Sequence, residues 1–248
     1  MRETILITGG SRGIGAATAT LAAERGYDVA ITYHRDRAAA QGIVDRIEEG
    51  GGRALALQGD VACESDVERI FAAVDEEFGA ISSLVNNAGL LGKQTTLESM
   101  DLDRVQRTLD VNIIGVFLCC RAAVKRMAFR HGGKGGSIVN LSSVAARLGA
   151  PREFIDYAAS KGAVDTMTVG LANEVADQGI RVNAVRPGLI RTDIHALSGD
   201  PDRVEKLKGN VPMARGGDAI EVARAILWLA SKESSYTTAS FIDVAGGR

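Results

Sequence analysis

Seven short apolar runs recur along the chain, at 5–8, 29–33, 54–57, 84–86, 138–141, 181–185 and 241–244, and longer segments with helical spacing separate them. Runs of this length, rich in Val, Ile and Leu and bounded by glycine or turn residues, read as strands. The segment after Asp60 is the clearest helix. It sets Val67, Ile70, Phe71, Val74 and Phe78 on one face and stops at Gly79, and Ser65-x-x-Glu68 is expected to form a capping box at its start. Strands that alternate with helices cannot pair as hairpins. They require a parallel sheet with right-handed crossovers and helices on both faces, so the expected fold class is α/β, doubly wound, three-layer α/β/α, with a seven-stranded parallel sheet.

No repeat, low-complexity tract or linker divides the pattern, and the expectation is one domain over 1–248. The irregular stretch at about 188–217 holds Pro201, Pro212, Gly199, Gly209, Gly216 and Gly217; it is expected to be a mobile lid over a substrate. Lys and Arg number 29 against 31 Asp and Glu, a balance that speaks against a nucleic-acid or membrane surface. The first residues run directly into an apolar strand with no room for a signal peptide, and no apolar stretch is long enough to span a bilayer. A cytoplasmic protein is expected. Cys63, Cys119 and Cys120 read as reduced core residues, the adjacent pair in a buried helix, and the scattered His34, His131 and His195 predict no metal site.

The first strand leads into Thr8-Gly-Gly-Ser-Arg-Gly-Ile-Gly15 and then a strong helix former. A glycine-rich turn between a strand and a helix lets the backbone approach a pyrophosphate at the helix N-terminus, the phosphate site of a Rossmann fold. Gly9, Ser11, Arg12, Gly13, Ile14 and Gly15 are the candidate contacts. The spacing is G-x-x-x-G-x-G, and Ala16-Ala17 after the last glycine excludes a P-loop. Where a cofactor lacking a 2′-phosphate meets a carboxylate at the end of the second strand, this chain has Tyr33-His34-Arg35. Arg35, beside His34 and with Arg12, is expected to hold a 2′-phosphate, which favours NADP(H) over NAD(H). Asp60 and Val61 after the third strand, and Asn87, Ala88 and Gly89 after the fourth, are candidates for the adenosine and ribose; ordinary turn chemistry is the competing explanation.

Tyr157 and Lys161 fall four apart in a helical run, so the phenol and the ammonium share a face. With Thr8-Gly-x-x-x-Gly-x-Gly15, Asn86-Asn-Ala-Gly89, Ser143, Tyr157-x-x-x-Lys161 and Pro187-Gly188 in order, the chain resembles the classical short-chain dehydrogenase/reductases, with glucose-dehydrogenase-like and 3-oxoacyl-reductase-like wording. The resemblance spans essentially all 248 residues. It implies Tyr157 as general acid or base and Lys161 as the cation that lowers its pKa and holds the nicotinamide ribose. It implies Ser143 on the substrate oxygen and Asn112 as organiser of the helix and of a water. Pro187 and Gly188 match cofactor-binding positions, and Ile190 by its backbone and Thr192 by its hydroxyl match positions that anchor the carboxamide. Ser143 lies fourteen residues before Tyr157, one more than the commonest family spacing, so 152–156 is expected to hold an extra residue, and a register slip would exchange Ser142 for Ser143.

The function so implied is NADP(H)-dependent hydride transfer between the nicotinamide and a small carbonyl or alcohol, in a homotetramer. The alternative is a non-catalytic NADP(H)-binding sensor or scaffold, which predicts damage at Ser143, Tyr157 or Lys161, and none is present. A methyltransferase with a similar turn would expect an acidic residue where Tyr33-His34-Arg35 stands. Arg147, Arg152, Glu153 and His195 near the cleft read as solvated loop residues rather than substrate contacts, and Ala239 stands where many family members carry glycine.

Overall fold

The computed structural model describes residues 2–248, and Leu197 by its backbone alone. Five strands, β1 (Thr4–Ile7), β2 (Asp28–Tyr33), β3 (Arg53–Gln58), β4 (Ser83–Asn86) and β5 (Gly136–Leu141), each lead into helical structure, and β6 (Ile180–Pro187) follows the helix Ile155–Val175. Two-residue strands β7 (Ile190–Arg191) and β8 (Gly217–Asp218) pair with each other, and β9 (Phe241–Val244) closes the main sheet. Its order is β3-β2-β1-β4-β5-β6-β9, and every neighbouring pair is parallel. All seven expected strands are present, most of them one or two residues longer than read.

Side-chain alternation along each strand builds two cores. On one face Leu6, Leu84, Ile138 and Val182 meet α3 (Glu64–Phe78), α5 (Gly115–Met127) and α7 (Ile155–Val175) through Phe71, Cys120 and Val164. On the other, Ile5, Ile7, Val85, Val139 and Val185 meet α1 (Gly13–Glu24), α2 (Arg37–Glu49) and α10 (Ala219–Ala230) through Ala22, Ile43 and Ile226. Each such aliphatic side chain contributes about 1.5–3 kcal/mol when fully buried. Cys119 and Cys120 are core residues, 2% exposed, whereas Cys63 is not: as the N-cap of α3 it sits at the helix end and is exposed. The expected capping box is absent from α3: the helix starts at Glu64, which puts Ser65 inside the first turn, and the side chain of its N-cap Cys63 caps no amide, its Sγ lying instead 3.2 Å from the Ser65 hydroxyl. Asp66 instead turns back to accept the Asp60 amide at 2.8 Å, fixing the loop after β3.

Strand order reverses direction between β1 and β4, and the loops leaving them diverge. A crevice must open outside their C-terminal ends. Asn87 holds this point together: its amide and that of Ala88 donate to the Thr8 hydroxyl, and its side-chain nitrogen donates to the Thr8 and Gly9 carbonyls at 2.9 and 3.0 Å.

Candidate active site

The crevice is a cleft of about 520 Å³. Its floor is the glycine turn. Gly13 has φ +55°, the left-handed region that favours glycine, and a Cβ built there would lie 3.3 Å from the Thr192 methyl. At Gly15 a Cβ would fall 2.5 Å from the Gly9 carbonyl and 2.6 Å from Asn87 Nδ2, so this glycine serves close packing and does not face the cleft. The next helix, α1, begins at Gly13 with no side-chain cap on its free amides. Uncapped amides at the start of a twelve-residue helix fit an anion such as a pyrophosphate. The turn itself is tied to β2 by the Gly9 amide, which donates to the Thr32 hydroxyl at 3.0 Å.

Gly9, Ser11, Arg12, Gly13 and Ile14 line the cleft with His34, Asp60, Val61, Asn87, Ala88 and Gly89, and so do Pro187, Gly188, Ile190 and Thr192. Arg35 does not. It lies in an adjoining recess of about 460 Å³ with His34, Asp60 and Arg69, where Arg69 is engaged by Asp66 and the Gln58 carbonyl, both at 2.8 Å. Asp60 is also busy locally, accepting the Ala62 amide at 2.9 Å.

The other end of the cleft brings Ser143, Tyr157 and Lys161 together. Tyr157 stands one turn above Lys161 on α7, whose Nζ is 5.6 Å from the centre of the phenol ring. Burial pushes the Tyr157 phenol up, and the neighbouring Ser143 hydroxyl, which accepts the Ala145 amide at 3.1 Å, pulls the other way. The expected lowering by Lys161 is therefore not the dominant influence here. Lys161 is 3% exposed and donates to the Leu141 carbonyl at 2.6 Å; burial pulls it down to about 8 against the attraction of Asp165. Ser142 points elsewhere, donating to the Lys161 carbonyl at 3.3 Å. Ser143 is thus the serine that meets the phenol.

Asn112 does not line the cleft; it shapes it from behind. It sits in a π-helical turn, Asp110–Ile114, between α4 (Leu102–Leu109) and α5, a geometry common at functional sites. Fully buried, it accepts the Leu90 amide at 2.7 Å and donates to the Leu90 carbonyl and the Ser160 hydroxyl, both at 3.0 Å. A second clamp comes from Asp156, next to Tyr157. Burial raises its pKa, but the Arg104 guanidinium (2.8 and 3.1 Å), the Tyr157 amide and Thr108 outweigh it and hold the carboxyl below the ordinary range. Arg104 also donates to the Lys93 carbonyl, so one cation joins the loop after β4 to the start of α7.

Several lining residues carried no sequence signal beyond their charge. Arg203, on α9 (Arg203–Leu207), reaches the cleft wall and pairs with Glu153. His195, on α8 (Ile194–Leu197), is 9% exposed, and its Nε2 lies 2.9 Å from the Ile190 carbonyl. Burial lowers its pKa and keeps the ring neutral. Glu153 and His195 are thus cleft residues, not the solvated loop residues their sequence context suggested.

A glycine cradle at a sheet switch point, followed by a Ser-Tyr-Lys cluster at the far end of the same cleft, defines a short-chain dehydrogenase/reductase. The family model described as Enoyl-(Acyl carrier protein) reductase matches residues 9–248, and the chain belongs to the short-chain dehydrogenase/reductase family. It is 56% identical over 243 residues to the uncharacterized oxidoreductase YgfF of Escherichia coli (strain K12), covering 98% of both chains. It is 40% identical over 246 residues to 3beta-hydroxysteroid dehydrogenase 1 of Eggerthella lenta, covering 99% of this chain and 93% of that one. Among solved structures, a short-chain type dehydrogenase/reductase from Mycobacterium marinum superposes with a TM-score of 0.92 at 36% identity, covering 99% of this chain and 94% of the other. The chemistry of the family is NAD(P)H-dependent hydride transfer, and the protein is an oxidoreductase of that kind. No helix among the described residues is long and apolar enough to cross a membrane.

Proposed function

We propose that the protein is an NADP(H)-dependent oxidoreductase that interconverts a carbonyl and an alcohol, with Tyr157 as the general acid and base. The observation that carries the reading is the clustering of Ser143 and Tyr157, with Lys161 one turn below, in the same cleft as the glycine cradle. The nicotinamide, when bound, supplies the hydride in reduction and accepts it in oxidation. Ser143 donates to the substrate oxygen and orients it. Burial keeps the proton on Tyr157 at neutral pH, so in reduction the phenol is ready to deliver it to that oxygen. Lys161, held at the Leu141 carbonyl beneath the ring, provides the nearby cation that limits the cost of the phenolate left behind, and offers donors to the nicotinamide ribose.

Arg12 at the cradle and Arg35 in the adjoining recess supply the guanidinium groups for a 2′-phosphate, the basis for preferring NADP(H). Ile190 and Thr192, which line the cleft, would hold the carboxamide, and residues 188–217 act as a substrate lid on a single domain. Ile114, Phe117 and Val169 are exposed on the π-helical turn, α5 and α7, an apolar set that suits burial in a homotetramer; light scattering gives the mass directly, and a monomer refutes that part.

The test of function is NADPH oxidation against aldehydes, ketones, quinones and 3-oxoacyl thioesters by the native protein and Tyr157→Phe. The variant should bind NADPH normally and lose a factor on the order of 10²–10⁴ in rate. Undiminished turnover by Tyr157→Phe ends the assignment.

A further inference from the structure

The 149–154 loop between α6 (Ala145–Leu148) and α7 passes through Ala150 at φ +43° and Arg152 at φ +63°, left-handed backbone that non-glycine residues seldom adopt. It delivers Glu153 to the cleft wall. There the Glu153 carboxylate takes two hydrogen bonds from the Arg203 guanidinium, at 3.1 and 2.5 Å, and one from Gln94 Nε2 at 3.2 Å. The Glu153 carbonyl accepts the Thr95 amide at 3.1 Å, and the Arg203 guanidinium stacks on the Phe154 ring with Cζ 5.1 Å from its centre. Three walls of the cleft, from the 90s loop, the 149–154 loop and α9, meet at this one carboxylate.

Arg203 has a side chain only 10% exposed, whereas that of Glu153 is 33% exposed, and both line the cleft that holds Ser143 and Tyr157. A buried guanidinium in a substrate cleft would ordinarily recruit a carboxylate or phosphate by two parallel hydrogen bonds. Here a resident carboxylate already occupies both terminal nitrogens, and its more exposed side confronts an incoming anion with like charge. We infer that Glu153, by capping Arg203, is a specificity-determining residue that fits the substrate end of the cleft to uncharged carbonyl compounds and rejects carboxylate-bearing ones. The inference rests on the carbonyl/alcohol reading given above and deepens it. Rejection through an unfavourable charge is a standard route to discrimination.

The test compares methyl 4-formylbenzoate with 4-carboxybenzaldehyde as substrates, by NADPH oxidation. In parallel, calorimetry measures binding of methyl 4-(hydroxymethyl)benzoate and 4-(hydroxymethyl)benzoate to the NADPH complex, where no turnover occurs. The native protein should favour each ester over its carboxylate by about tenfold or more, and Glu153→Gln should shrink that preference at least about fivefold in both measurements. Adding Arg203→Met to Glu153→Gln should abolish the gain, since the freed cation is its source. Arg107 and Arg248 also line the cleft and form a constant background to every comparison. Equal binding of ester and carboxylate by the native protein, or a ratio unmoved by Glu153→Gln, overturns the inference. If neither aldehyde is reduced but the binding ratio shifts as stated, the charge filter stands and the carbonyl-reduction reading falls.

Discussion

Replacing Asn112 by alanine tests how the substrate side of the cleft is held. The native side chain has no exposure and makes three hydrogen bonds, two to Leu90 and one to Ser160. Ser160 keeps its own bond to the Tyr157 carbonyl at 2.7 Å, so the groups left without partners are the Leu90 amide and carbonyl. Each buried group so stranded costs about 1–3 kcal/mol. Leu90 is only partly buried, and water entering from the cleft recovers a share, which leaves about 2–4 kcal/mol in all. In a chain of this length each kcal/mol moves the midpoint by about 2–4 °C, so Asn112→Ala should lower Tm by roughly 5–15 °C. Ser160→Ala is the control, because it removes one Asn112 bond and spares both bonds to Leu90; its expected cost is about 1 kcal/mol. Thermal unfolding of the three proteins under one buffer and cofactor concentration decides the matter. If Asn112→Ala is no worse than Ser160→Ala, the tether to Leu90 is not what this asparagine supplies.

Two further outcomes bear on cofactor and pH. Arg35→Ser should raise the KM for NADPH by about 10–100-fold, the worth of a charge-assisted hydrogen bond to phosphate, and leave that for NADH within about twofold; equal losses with both cofactors exclude a 2′-phosphate contact. For Lys161, the folded pKa is depressed from 10.5 to about 8, so between those values the unfolded chain binds more protons than the folded one. Its contribution to stability is therefore unfavourable below about pH 8 and is relieved as pH rises toward 10.5. Lys161→Met should flatten this rise, by an amount on the order of 3 kcal/mol across the window. Parallel stability curves for the two proteins between those pH values refute a buried, depressed Lys161; a smaller offset measures how far hydration of the cleft offsets its burial.

The main sheet was legible because its signal is local. The inner strands bury both faces, as the uniformly buried β1, β2 and β4 do, so a continuous apolar run marks each without reference to any partner. The cradle was legible for the same reason, since a strand, a glycine turn and a helix are contiguous. Strand register even resolves the choice of serine: Ser142 and Ser143 follow β5 directly, and alternation sends one to the Lys161 carbonyl and the other to the phenol. The α3 cap was misread because two candidate starts lie within one turn, and the one chosen frees Asp66 to bond the Asp60 amide across the β3 loop. A local pattern cannot weigh a bond of that kind.

What stayed hidden depends on pairs distant in sequence. Glu153 and Arg203 are fifty residues apart, and each alone is a charged residue in a loop-rich region, for which solvation is the default expectation. Only the fold reveals that both point inward, that one neutralises the other, and that the loop geometry at Ala150 and Arg152 serves the meeting. Chemistry and selectivity are therefore encoded at different ranges. Tyr157 and Lys161 lie one turn apart on a single helix, so their spacing survives any change in the loops above them. The charge wall is assembled from two loops and α9, separate from that helix's own spacing. On this reasoning, Glu153→Gln should alter which substrates are accepted through the wall alone, while Tyr157→Phe should slow turnover by the same factor, on the order of 10²–10⁴, for charged and uncharged substrates alike.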